Sequence, residues 1–93
     1  MTLDEVRARK LLVQVAGLLD ELAAELEDLA RGRQRSTTNA LLYSVAIAVR
    51  LRLARRGTTA PVILDRAATL EAEWLALVPR IDQRAHLDGT RTS

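Results

Sequence analysis

The sequence predicts an all-α protein: an antiparallel three-helix bundle with a long first helix, leaving room for a short fourth helix after Pro79. Three observations lead there. Ala, Leu and Arg dominate the 93 residues, and all three are good helix formers. Aromatic residues, which favour strands, are limited to Tyr43 and Trp74. Apolar residues recur at the helical period over most of the chain, and Gly32, Gly57 and Pro61 punctuate the pattern.

The first helix opens at Thr2-Leu3-Asp4-Glu5, a capping-box pattern in which Thr2 and Glu5 satisfy each other's free backbone amides. One apolar row runs through Leu11, Val15, Leu18, Leu22, Leu26 and Leu29. A second runs through Leu12, Ala16, Leu19, Ala23, Leu26 and Ala30. Together they form a wide stripe at the 3.6-residue period. Arg7, Lys10, Gln14, Glu21, Glu25 and Asp28 take the opposite face. Gly17 costs about 1 kcal/mol relative to Ala in mid-helix and marks a candidate close helix crossing. Gly32, after Arg31, reads as the C-terminal cap.

Residues 33–39 form the first connection, where Ser36, Thr37 and Thr38 are all competent N-caps. The second helix is expected from Asn39 to Arg56, with Gly57 as its stop. This segment reads two ways. Tyr43, Val45, Ile47, Val49, Leu51 and Leu53 alternate with smaller or charged residues, the period of a strand over 43–53. As a helix it carries two stripes instead: Leu42, Val45, Val49 and Leu53, and Tyr43, Ile47, Leu51 and Ala54. Helix is preferred, because a lone strand has no partner strand elsewhere and a centrally packed helix should be apolar on two sides.

Thr58 to Pro61 form a turn, with Pro61 near the first position of the third helix. Ile63, Ala67, Leu70, Trp74, Leu77 and Ile81 share a row. Pro79 lacks the amide that would bond back to Leu75, so the helix is expected to kink or end there, with a further turn or two over Arg80 to Leu87. Residues 88–93 contain no apolar side chain and read as a flexible tail. The organisation expected is one helical domain over 1–87 followed by that tail.

Short connections favour antiparallel neighbours. Pairing the first two helices about residue 35 sets Leu26 level with Tyr43, and the second helix ends opposite roughly residue 12. Leu3, Val6, Leu11 and Leu12 then project by about 15 Å of helix. Leaving such side chains in water forgoes about 1.5–3 kcal/mol each. The expected partner surface is therefore Leu3, Val6, Leu11, Leu12, Val15 and Leu19, used by a second copy of the chain or by a larger complex.

Charge and composition narrow the function classes. Net charge is +2 and Lys10 is the sole lysine among 14 basic residues. No large global field steers nucleic acid, and the abundance of Ala and Arg reads as a GC-rich bacterial genome. The chain has no Cys, so disulfides and thiolate chemistry are excluded. The longest apolar stretch, Ala40 to Val49 with Ser44 interrupting it, spans about half of a bilayer core. Asp4 and Glu5 stand where a positively charged leader would begin. A cytoplasmic protein with no membrane partner is expected.

Arg50, Arg52, Arg55 and Arg56 are the densest cations. The expected pairing sets Asp20 and Glu21 beside Arg50, and Asp65 near Arg52, so internal ion pairs are their first reading. The second is an anion or nucleic-acid contact made by Arg7, Arg9, Lys10, Arg55 and Arg56, which would weaken steeply with salt. A helix-turn-helix around Gly57 is disfavoured, because Val62, Ile63 and Leu64 crowd the turn that should face the groove. The acidic run Asp20, Glu21, Glu25, Glu27 and Asp28 opposes its own helix dipole and reads as a solvated face with cross-helix arginine partners. Asp82 and His86 lie four apart, but a zinc site takes three or four protein ligands. No serine has a neighbouring base. No catalytic site, cofactor, metal or small-molecule substrate is expected. The function expected is a non-enzymatic protein-interaction or assembly module, such as a small structural subunit, adaptor or regulator; the alternative is an accessory nucleic-acid-binding protein.

Overall fold

Three helices account for the fold: α1 Leu3–Ala30, α2 Thr38–Arg56 and α3 Pro61–Thr92. They are seen in a computed structural model that describes residues 2–92, with side chains described for residues 2–83. No strand occurs among the described residues, and 43–53 lie wholly within α2. The bundle is a rod of 53 × 18 × 16 Å.

Helix α1 begins at the expected cap, with the Glu5 amide donating to Thr2 Oγ1 at 3.2 Å; of the reciprocal pair expected there, this is the half that the structure shows. Ala8, Leu12, Val15, Leu19, Leu22, Leu26 and Leu29 are its buried stripe, while Leu11 and Leu18 stand half-buried at the edge. The helix ends in a Schellman turn. Gly32 takes φ +75, its amide donates to Leu29 O, and the amide of Arg33 donates to Asp28 O at 2.8 Å. Positive φ is cheap only for a residue without Cβ. The amide of Gln34 also donates to Asp28 O, so the chain doubles back beside the last turn of α1. Ser36 Oγ then accepts from the Thr38 amide at 3.2 Å, in place of a side-chain cap from Thr37.

This doubling back corrects the expected register. Arg50 Nε donates to Gln14 Oε1 at 3.0 Å, where Asp20 and Glu21 were expected. At the other end, a methyl group placed on Gly57 would meet the Asp4 carbonyl at 3.6 Å. The order of these contacts runs in opposite directions along α1 and α2. Relative to the expectation, α2 is displaced toward the start of α1 by six to eight residues, about 9–12 Å. The projecting segment therefore does not exist in the form expected: α2 reaches back as far as Asp4.

Two further expectations fail for local reasons. Gly17 faces open space, with nothing within 4 Å of where its Cβ would stand, so it marks no close crossing. Pro79 neither ends α3 nor starts a separate fourth helix, since α3 is one helix from Pro61 to Thr92. Pro79 stands on the exposed side, and Ile81, 2% exposed, anchors the following turn in the core. That burial outweighs one missing backbone bond. Residues 88–92 of the expected tail belong to the last turns of α3; their side chains, and Ser93, lie outside the described residues.

Candidate interaction surface

The apolar side chains expected to meet a partner separate into two sets. Leu12, Val15 and Leu19 are buried within the chain's own core, and Leu11 is half-buried against it. The displaced α2 covers α1 well below residue 12, and Ile63 of α3 joins Leu12, Val15 and Leu19 in the same buried cluster, while Val13 and Val62 line an open groove beside it. Those four residues are therefore not a free surface. Leu3 and Val6 alone keep the exposure expected of them.

A different surface stands out. Leu42, Val45, Val49 and Leu53 are 62, 60, 49 and 48% exposed. Steps of three and four residues line them up along one face of α2. Ala40, Ile47, Leu51 and Ala54 form the buried face, about half a helical turn away. The second stripe legible in the sequence is thus present, and it points away from both α1 and α3. A helix in a three-helix bundle touches two neighbours on adjoining sides, so an apolar stripe opposite its core face has nothing left to cover it. That count of neighbours is the signal the sequence reading missed.

The face bordering this stripe is charged in an ordered way. Gln14, held to Arg50, marks the ridge of α1 that flanks α2. Steps of three, four and seven residues place Arg7 and Lys10 on the same ridge toward the start of α1, and Glu21, Glu25 and Asp28 on it toward the end. On α2 itself there is no acidic residue, and its four arginines all lie in its second half. One end of the α1–α2 face is therefore cationic and the other anionic.

The five cations expected to meet phosphate are only partly brought together. Arg7, Lys10 and Arg56 share one end, but Arg56 lies with Asp4 and Glu5 around the same depression. Arg9 lines the groove between α1 and α3 with Arg66. Arg55 is ion-paired to Glu71. The other ion pair among the described residues joins Arg31 and Glu27 at 3.5 Å. Arg50 is spent on Gln14 and on the Ala46 carbonyl.

No group of acidic or histidine side chains among the described residues is arranged to hold a metal ion; the side chain of His86 lies outside them. No helix of the described residues is long and apolar enough to cross a membrane. Comparison with protein-family models, curated proteins and solved structures finds no match for this chain.

Proposed function

We propose that this chain is a non-enzymatic protein-interaction or assembly module that works through the outward apolar face of α2, in a cytoplasmic setting. One observation carries the reading. Leu42, Val45, Val49 and Leu53 form a continuous exposed stripe opposite the core, on a helix whose inner face is already filled. Isolated exposed leucines are ordinary, whereas an aligned apolar patch marks a contact surface. Covering four half-exposed side chains of this size is worth several kcal/mol, about 1–1.5 kcal/mol each. Leu3 and Val6, at the far end of the bundle, extend the apolar surface available to a partner.

The test is a photo-crosslinking scan in cells, with the reactive residue at Val45, Val49, Thr69 or Glu73. Adducts at Val45 and Val49 and none at the two α3 positions are expected. Equal labelling at all four would end the proposal. Nucleic-acid binding through Arg7, Lys10 and Arg56 ranks second, favoured by their exposure and by the absence of an ion pair to any of them among the described residues.

A further inference from the structure

We infer that the occupant of the α2 face is a second copy of the same chain, packed α2 against α2 in antiparallel register about a twofold axis between Val45 and Val49. The inference rests on the reading of that face as an interaction surface and names its partner.

Self-complementarity is what selects this occupant. A twofold interface brings the same patch together with itself. With the axis between Val45 and Val49, each of these valines meets the other in the second copy, and Leu42 meets Leu53. All four contacts are apolar on both sides. The stripe follows steps of three and four residues, the spacing by which one helix seats its side chains between those of another.

Charge selects the orientation. The antiparallel arrangement sets the neutral first half of α2 against Arg50, Arg52 and Arg56 of the second copy. It also keeps both α1 ridges on one side of the dimer, with their directions opposed. Glu25 and Asp28 then look toward Lys10 and Arg7 of the second copy. The parallel arrangement sets the arginine-bearing second halves of the two α2 helices side by side and carries the two α1 ridges to opposite sides of the dimer, where their charges find no counterpart; like charges brought together disfavour a partner strongly. Arg33 and Arg35 belong to the connection between α1 and α2, outside both helices. A cationic end and an anionic end on one face are thus complementary only when the two copies run in opposite directions.

The face of α2 is 19 residues long, about 28 Å, which places the interface in the small class, under about 1,200 Å² in total. Self-association is therefore expected in the micromolar range rather than the nanomolar range.

The experiment joins sedimentation equilibrium with directed disulfide formation, using the full chain, which has no cysteine of its own. The unmodified chain is expected to show a reversible monomer–dimer equilibrium. Val45→Glu combined with Val49→Glu should leave it monomeric with unchanged helical circular dichroism, since both sites are exposed. Mixing a Leu42→Cys variant with a Leu53→Cys variant should give the mixed disulfide in preference to either symmetric one. Predominant symmetric disulfides would overturn the antiparallel register. A strict monomer would overturn the self-association altogether. If that monomer still crosslinks another protein through Val45, or is drawn onto anionic vesicles by the same face, the face has a different occupant: the first result leaves the interaction module standing, and the second removes both readings.

Discussion

The indole Nε1 of Trp74 donates to Ser44 Oγ at 2.9 Å, tying α3 to α2 through the only tryptophan of the chain. Both residues are half-buried, and Trp74 packs against the core. A hydrogen bond in this setting contributes about 0.5–1.5 kcal/mol net. Ser44→Ala should therefore destabilise the fold by about 1 kcal/mol in urea titration. It should also shift the tryptophan emission, because the indole loses its one protein partner.

Gly17, in the middle of α1, and Gly32, just beyond its end, should respond to substitution in opposite directions. Gly17 has open space around its missing side chain, so Gly17→Ala should stabilise the protein by about 0.5–1 kcal/mol through helix propensity. Gly32 holds φ +75, where a Cβ meets the backbone, so Gly32→Ala should destabilise by about 1 kcal/mol. Thermal denaturation of both variants, followed by circular dichroism, checks the pair of signs.

The two stripes of α2 should separate cleanly under truncation. Ile47 is fully buried, and Ile47→Ala should cost about 2–5 kcal/mol, a large share of the roughly 5–15 kcal/mol available to a small domain. Val49→Ala removes a half-exposed side chain and should cost well under 1 kcal/mol in dilute protein. Equal losses in chemical denaturation would mean that the outer stripe is covered within the single chain.

The ion pair between Arg55 and Glu71 should be nearly neutral in stability. Both side chains are partly exposed, and such pairs are worth about 0–1 kcal/mol. Glu71→Gln should move the denaturation midpoint little. It also frees Arg55, so it should raise any affinity for polyanions, measured by fluorescence anisotropy with duplex DNA at low salt. For the unmodified chain, binding that is tight at low salt and falls steeply with added salt would favour the nucleic-acid reading over the assembly reading.

Much of the fold was legible because helix periodicity and capping are local. Thr2, Gly32, Gly57 and Pro61 marked the helix ends, and the α1 rows contained six of the seven side chains that α1 buries, Ala8 being the exception. Register was not legible, because it depends on the path of residues 33–37 in space rather than on their number. The bonds from Arg33 and Gln34 back to Asp28 turn those residues into a descent beside α1, and that descent carries α2 down to Asp4. The expected surface at Leu12, Val15 and Leu19 was lost for this one reason. Leu42, Val45, Val49 and Leu53 were visible as a stripe, but periodicity states only that a face is apolar. Which face points inward follows from where the neighbours stand.

Solvent accessibility of the valine methyl groups tests the central claim most directly. A soluble paramagnetic agent would be added to methyl-labelled protein at low and at high concentration. Val45 and Val49 should be strongly relaxed in dilute solution and shielded in concentrated solution, while Val13 and Val62, exposed on the α1–α3 side, should be relaxed at both. Loss of accessibility at Val13 and Val62 with none at Val45 and Val49 would contradict the account.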